Sequence, residues 1–166
     1  MKIRDLMTKS VASCHPETNL AAAGSLMWET DCGVLPIVDG HRRVVGMITD
    51  RDVGIALATS DRRASSLRVG DVGVSHAVIC ASDADAQSAL EMMRTHRVHR
   101  LAVVNKAGLL EGVVSIGDIA RRAQHPAGRK RPDISYEDVV GTLQAISARR
   151  GAAKHSAASG PSITVH

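Results

Sequence analysis

The sequence contains almost no large aromatic side chains. Phenylalanine is absent, and the chain of 166 residues has a single tryptophan, Trp28, and a single tyrosine, Tyr136. Surfaces that bind single-stranded nucleic acid depend on aromatic side chains on which the bases stack. The composition therefore argues against that class of protein.

Cysteine is scarce as well, and the three cysteines lie far apart. Cys14, Cys32 and Cys80 form no C-x-x-C pair, so the sequence predicts neither a disulfide framework nor a structural zinc motif. Free thiols are typical of a reducing compartment, of which the cytoplasm is the simplest case.

Long apolar runs are missing too. The longest runs, such as residues 34–38, fall far short of the roughly 20 residues that a membrane-spanning helix needs. The first ten residues, MKIRDLMTKS, lack the apolar core of a signal peptide. We therefore expect a cytoplasmic protein with no membrane segment.

The net charge of +4 is concentrated at one end of the chain. Residues 1–120 contain 13 Lys and Arg against 14 Asp and Glu, a balance of −1, whereas residues 121–166 contain 8 against 3, a balance of +5. The basic character belongs to the tail, and we do not expect the body to bind nucleic acid.

The main feature of the sequence is an internal repeat. Residues 46–52 read GMITDRD and residues 112–118 read GVVSIGD, an offset of 66 residues that extends along the chain without a gap. The identical pairs at this offset are Asp5 and Asp71, Cys14 and Cys80, Ala23 and Ala89, Met27 and Met93, Leu35 and Leu101, Val38 and Val104, Gly46 and Gly112, and Asp52 and Asp118. The chain therefore contains a duplicated unit.

Each unit shows the same order of hydrophobic patterns. A short apolar segment (11–14 or 77–80) predicts a strand, and apolar residues at i, i+3 and i+7 predict a helix. Two β-branched runs around a polar turn then predict a hairpin, and the GMITDRD or GVVSIGD motif leads into a second helix at 50–58 or 117–123. The helical positions are Leu20, Ala23 and Met27 in the first unit and Ala86, Ala89 and Met93 in the second.

We predict an α/β (α+β) fold in which two β-α-β-β-α repeats pack sheet to sheet about a pseudo-twofold axis, because one such unit cannot bury both sheet faces. The predicted units are residues 1–60 and 69–124, joined by a linker at 61–68. Residues 125–166 form a basic tail with one short helix at about 135–149 and a disordered end. Val139, Val140, Leu143 and Ile146 give that helix an apolar stripe for docking.

The two motifs have a purely local interpretation. A hydroxyl residue followed three positions later by an acidic residue is typical of a capping box at a helix N-terminus. Taken alone, each motif is best explained in this way. Duplication within this architecture favours a second role, because the pseudo-twofold arrangement gives two equivalent clefts where helix N-termini converge, and such places favour phosphate. Both roles are compatible.

The pattern resembles the tandem cystathionine-β-synthase (CBS) domain pair, or Bateman module, over about residues 1–123. The resemblance rests on DLM at 5–7, LPIVD at 35–39, GMITDRD at 46–52, DV at 71–72, HRLAVV at 99–104 and GVVSIGDIA at 112–120. It implies a non-catalytic regulatory module that binds an adenine nucleotide (AMP, ADP or ATP) or S-adenosylmethionine, forms a homodimer and controls a still unidentified partner protein. No cofactor is required.

The resemblance also implies roles for individual residues. Asp52 and Asp118 are expected to accept hydrogen bonds from ribose hydroxyls, and Thr49 and Ser115 to donate to phosphate or sugar. His99 and Arg100 resemble the phosphate-contacting pair of the AMP-activated kinase gamma subunit, which would make the GVVSIGD cleft the stronger site. The first unit has Gly33 and Val34 at the matching positions, so Arg51 would have to serve there. The expected apolar walls around adenine are Val11, Ala12, Pro36, Met47, Val78, Ile79 and Val113.

Other functions remain open on the sequence alone. The leading alternative is a ligand-independent dimerisation or protein-interaction module, and a further one is nucleic-acid binding through the tail. A zinc site at His96 and His99 with Cys32 or Cys80 would need ligands that the spacing does not supply. No nucleophile and base pair is apparent, so we predict no catalytic residues and no enzyme activity.

Overall fold

The computed structural model describes residues 1–72, 77–125 and 132–148. The six strands in these ranges are β1 (Thr8–Lys9), β2 (Val34–Val38), β3 (Val44–Thr49), β4 (Ile79–Ala81), β5 (Arg100–Val104) and β6 (Leu110–Ser115). The five α-helices are α1 (Leu20–Glu29), α2 (Asp50–Thr59), α3 (Ala86–His96), α4 (Ile116–Ala120) and α5 (Tyr136–Ser147). Three short 3-10 helices lie at Ile3–Asp5, Ala64–Ser66 and Val69–Val72. The predicted helices and hairpins of both units are present, although α4 is shorter than predicted.

The two hairpins have the same register. In β2 and β3, Val34 pairs with Thr49, and in β5 and β6, Arg100 pairs with Ser115. The register shifts at residues 37 and 38 in the first hairpin and at residues 103 and 104 in the second. Because a register shift is a specific local feature of backbone geometry, its recurrence at the repeat offset confirms the duplication at the level of the backbone.

The predicted strand at 11–14 is reduced to a single bridge between Cys14 and Ile37, and Pro36 explains the difference. The next hydrogen bond of this parallel ladder would run from the amide of residue 36 to the carbonyl of Ala12, and proline has no N–H to donate. In the second unit the matching residue is Ala102, whose N–H donates to Val78 O at 3.2 Å. There β4 pairs with β5 over three residues.

The two halves of the sequence exchange their first segments. Ile3 is buried in the core of the second unit, where its N–H donates to Ala84 O at 3.0 Å, and β1 pairs with β6. At the repeat offset, Val69 is buried in the core of the first unit and donates to Thr18 O at 2.8 Å. The core of each unit therefore contains a segment from the other half of the chain. This exchange of segments stabilises the contact between the two units.

A separate apolar cluster lies between the units. Val38, Ala102 and Leu110 are buried there, and the backbone N–H of Leu110 donates to Arg42 O at 3.2 Å across the interface. The two hairpins thus face each other about the pseudo-twofold axis, as predicted.

Helix α5 packs against α3 and α4 of the second unit. Val139, Thr142 and Ile146 are buried against these helices, and Arg94 Nη2 donates to Thr142 Oγ1 at 3.4 Å. The helix is confirmed, but only half of its predicted apolar stripe is buried, because Val140 and Leu143 are exposed. The predicted disordered end, from residue 149 onward, lies outside the described residues.

Candidate functional site

Both motifs form complete capping boxes. Asp52 Oδ2 accepts from Thr49 N at 2.9 Å and from Thr49 Oγ1 at 2.7 Å, while Asp52 N donates back to Thr49 Oγ1 at 3.2 Å. The matching bonds between Ser115 and Asp118 measure 2.7, 2.6 and 3.1 Å. The local interpretation is therefore correct.

The capping boxes restrict what each side chain can offer to a ligand. A hydroxyl has one hydrogen, and Thr49 and Ser115 already donate theirs to a carboxylate. Donation from these hydroxyls to a phosphate or sugar, as predicted, would require that bond to break. What each aspartate retains for a ligand is its second oxygen, Oδ1.

The second oxygens of the two aspartates have different surroundings. Asp118 Oδ1 forms an ion pair with Arg121 Nη2. No residue in the described part of the chain donates a hydrogen bond to Asp52 Oδ1, and the residue at the offset matching Arg121 is Ile55. The two motifs have the same backbone geometry, but only Asp118 has a cation paired with its second carboxylate oxygen in the described part of the chain.

Each motif opens into its own cavity. The first-motif cleft, which contains Thr49 and Asp52, has a volume of about 190 Å³. It is also lined by Val34, Met47, Ala77, Val78, Val98, His99 and Arg100. The second-motif cleft, which contains Ser115 and Asp118, has a volume of about 390 Å³. It is also lined by Thr8, Ser10, Val11, Ala12, Thr30, Asp31, Cys32, Gly33, Val34, Arg100 and Val113.

The clefts are built crosswise, each from the motif of one unit and the strand and loop residues of the other. The resemblance implies that His99 and Arg100 serve the GVVSIGD cleft, while alternation before the strand predicts that one of the two side chains faces the other cleft or solvent. His99 lines the first-motif cleft together with Asp52, and Arg100 lines both clefts. The carbonyl of His99 accepts from Ile116 N at 2.9 Å, which holds its backbone beside the second motif. Because the two units face each other, His99 lines the opposite cleft.

Arg100 and Val34 lie between the two clefts. Both line the first-motif cleft and the second-motif cleft, and they are equivalent at the 66-residue offset. The pseudo-twofold position shared by the clefts therefore carries one arginine and one valine. Arg100 therefore supplies positive charge to both cavities.

Eleven of the fourteen residues predicted to form ligand sites line one cleft or the other. Arg51 is exposed on α2, Pro36 is buried within β2 and Ile79 is 40% exposed on β4; all three lie outside both clefts. The predicted set does not contain Val34, which lines both clefts, or Arg121, which forms an ion pair with Asp118. Two sequence features point to these residues. Val34 matches Arg100 at the 66-residue offset, and Asp118 and Arg121 have the i, i+3 spacing of an ion pair on a helix.

The buried cysteines, Cys14 and Cys80, are expected to have low reactivity. Burial raises the pKa of Cys14 to about 11. Burial, and to a smaller extent the charge of Asp85, also raises the pKa of Cys80. Neutral thiols are poor nucleophiles and poor metal ligands. Within residues 1–72, 77–125 and 132–148, no group of three or more His, Cys, Asp or Glu side chains is arranged to hold a metal ion.

Residues 3–58 and 69–125 match the CBS domain family. The chain belongs to the CBS-domain family. The two matches form the tandem arrangement of a Bateman module, and they coincide with the two structural repeats. No helix in the described ranges combines the length and the apolar character needed to cross a membrane.

Curated relatives include standalone proteins and parts of larger ones. The chain is 29% identical over 139 residues to the CBS domain-containing protein YhcV of Bacillus subtilis, covering 82% of this chain and 97% of that protein. It is 32% identical over 118 residues to hypoxic response protein 1 of Mycobacterium tuberculosis, covering 71% and 82%. It is also 31% identical over 125 residues to inosine-5'-monophosphate dehydrogenase of Methanocaldococcus jannaschii, but spans 24% of that enzyme and 75% of this chain.

Solved structures share the fold. Hypoxic response protein I, determined with two coordinated zinc ions, matches with a TM-score of 0.67 at 31% identity, covering 75% of this chain and all of that one. The CBS domain pair of protein MJ0100, in complex with 5-methylthioadenosine and S-adenosyl-L-methionine, matches with a TM-score of 0.63 at 22% identity, covering 74% and 94%. CBSX2 in complex with AMP matches with a TM-score of 0.61 at 22% identity, covering 73% and 94%.

Proposed function

We propose that this protein is a non-catalytic regulatory module that binds an adenosine-containing ligand, such as an adenine nucleotide or S-adenosylmethionine, and changes its contacts with a partner protein. The observation that carries the proposal is the second-motif cleft, in which an aspartate, a shared arginine and aliphatic walls surround about 390 Å³. Small-molecule sites commonly measure about 300–1,000 Å³. The first-motif cleft, at about 190 Å³, is the smaller candidate.

The residues of the second-motif cleft suit the three parts of an adenosine nucleotide. Val11, Ala12 and Val113 provide aliphatic surface for the adenine ring. Asp118 Oδ1, the oxygen outside the capping box, is the acceptor for a ribose hydroxyl. Arg100 supplies positive charge for a phosphate or a carboxylate.

Thermal unfolding with a panel of adenosine, AMP, ADP, ATP and S-adenosylmethionine tests the proposal. A ligand at about 100 times its Kd stabilises the folded state by about 2.7 kcal/mol, which corresponds to a rise in Tm of roughly 5–11 °C for a chain of this size. Guanosine serves as the control for the base. If no member of the panel raises the Tm at millimolar concentration, the proposal fails.

A matched pair of variants separates ligand binding from helix capping. Glutamate is the preferred residue at the third position of a capping box, so Asp118→Glu should retain the cap while it displaces the oxygen offered to ribose. Asp118→Ala removes both. We expect Asp118→Glu to unfold near the wild-type temperature without ligand and to show a reduced ligand-induced shift.

The alternative function, a dimerisation module, is favoured by one specific surface. The outer face of α1 and α2 exposes Trp28 at 86%, whereas α5 covers the corresponding face of α3 and α4 in the second unit, where Arg94, the repeat equivalent of Trp28, donates to Thr142. We propose that a second copy of the chain covers the α1 and α2 face. Light scattering after size exclusion should show a dimer for the wild type and for Val140→Lys, and a monomer for Trp28→Lys. A dimeric Trp28→Lys would contradict this interface.

A further inference from the structure

Arg121 occupies the one carboxylate oxygen that the second motif leaves for a ligand. Asp118 Oδ2 is held by the backbone and hydroxyl of Ser115, and Asp118 Oδ1 pairs with Arg121 Nη2. The Asp118 side chain is only 11% exposed, while that of Arg121 is 71% exposed. A sugar hydroxyl that binds Asp118 Oδ1 therefore competes with the guanidinium for this oxygen.

The repeat supplies an internal comparison for this contact. The residue equivalent to Arg121 in the first unit is Ile55, which is half exposed and cannot form an ion pair. The capping boxes of the two motifs have nearly the same geometry. The side chain at this one offset position therefore decides whether the ribose acceptor is open, as at Asp52, or occupied, as at Asp118.

The ion pair is weak enough for a ligand to break. Pairs between solvent-exposed groups contribute little to stability because water and salt screen them, and the guanidinium of Arg121 lies mostly in solvent. A neutral nucleoside that takes Asp118 Oδ1 leaves Arg121 without its carboxylate. A nucleotide replaces that carboxylate with a phosphate, which an arginine binds through charge-assisted hydrogen bonds.

We propose that Arg121 makes the second-motif cleft discriminate between phosphorylated adenosine and the uncharged nucleoside. It is a positioning residue that acts through Asp118 before the ligand arrives, and it becomes a ligand contact once a phosphate is present. This inference rests on the proposed function, because it assumes that the second-motif cleft binds adenosine compounds.

Calorimetric titration of the full chain with adenosine and with AMP tests this role. Asp52→Ala is introduced throughout to weaken the first-motif cleft. Removing Arg121 in this background should strengthen adenosine binding about two- to fivefold, the range expected for loss of a competing exposed ion pair. The affinity for AMP should not rise, because AMP loses a phosphate contact. Arg121→Lys should recover part of the AMP preference, and Ile55→Ala, the matched control in the first unit, should leave the ratio unchanged.

The salt dependence of adenosine binding gives a readout on the otherwise unmodified protein. Adenosine has no charge, so its affinity should rise with salt only where it competes with an ion pair for its acceptor. We expect this rise for the protein with Arg121 and not for Arg121→Ala. It requires no variant at Asp52, whose loss from a capping box could affect folding.

The outcomes distinguish this inference from the proposed function. If adenosine affinity is unchanged or lower in Arg121→Ala, or if the affinities for adenosine and AMP rise by the same factor, Arg121 does not discriminate, although the cleft still binds. If neither compound binds the protein with Arg121 present, this inference fails, and the proposed function fails as well if ADP, ATP and S-adenosylmethionine also leave the Tm unchanged.

Discussion

Arg100→Val makes residue 100 identical to its repeat equivalent, Val34. Both residues line both clefts, so the substitution removes the shared cation while it introduces a side chain already accommodated at the equivalent site. Valine is also well suited to a strand, and Arg100 is the first residue of β5. We therefore expect the stability of the protein to change by less than about 0.5 kcal/mol.

The effect on ligand affinity follows from the charge that is lost. A hydrogen bond to a charged group contributes about 1.5–3 kcal/mol, and each 1.4 kcal/mol corresponds to about a tenfold change in Kd. Arg100 is exposed, so solvent screening favours the lower end of that range. We expect AMP affinity to fall about tenfold in Arg100→Val and adenosine affinity to change by less than about twofold.

Calorimetric titration of AMP and adenosine measures both affinities and the number of sites. Arg51→Ala is the matched control, because Arg51 is an exposed arginine within the first motif that lines neither cleft. The reasoning is refuted if Arg100→Val lowers AMP affinity by less than about threefold, if adenosine loses as much affinity as AMP, or if Arg51→Ala has the same effect. The last result would restore the role that the sequence alone predicts for Arg51.

Three further predictions concern the fold. Pro36→Ala supplies the missing N–H of the parallel ladder, so hydrogen exchange should show a protected amide at residue 36, and fast exchange there would contradict the explanation. Gly112→Ala places a Cβ against the carbonyl oxygen of Thr8 and should lower the free energy of unfolding in urea by about 1–3 kcal/mol. Gly40→Ala, which has open space around it, should lower it far less, and equal effects of the two variants would contradict the close approach at Gly112. The pKa of Cys14 in the folded protein, about 11, lies above that of an unfolded thiol. Its contribution to the free energy of unfolding is therefore complete below a pH of about 8.5 and falls by up to roughly 3 kcal/mol as the pH rises toward 11. Cys14→Ala should reduce this loss of stability, and an unchanged dependence of stability on pH would contradict the argument.

Much of the fold could be predicted because a gapless repeat allows each pattern to be checked twice. The helix at Ala86–His96 and the hairpin that follows it are supported by the matching segments of the first unit. The motifs at Thr49 and Ser115 could likewise be predicted as helix caps, because a capping box depends on residues only three positions apart.

The crosswise construction of the clefts could not be predicted from the repeat. A sequence offset shows that His99 and Gly33 are equivalent, but it does not show which unit's motif each of them faces. That depends on the long-range packing of one hairpin on the other and on the exchanged segments around Ile3 and Val69. The burial of only half of the α5 stripe has the same origin, since the orientation of a docking helix is decided by the surface that receives it.

The two clefts share a backbone plan, and two of the repeat positions at which they differ change their charge. At residues 34 and 100 the difference leaves the same arginine lining both clefts, so two phosphorylated ligands on one chain would compete for Arg100. At residues 55 and 121 it leaves Asp52 open and Asp118 paired. These differences favour unequal sites. In the larger second-motif cleft a ligand competes with Arg121 for the free oxygen of Asp118, whereas the smaller first-motif cleft offers an unoccupied acceptor. We therefore expect the first phosphorylated ligand bound to a chain to weaken binding of the second, a coupling that Arg100→Val should remove.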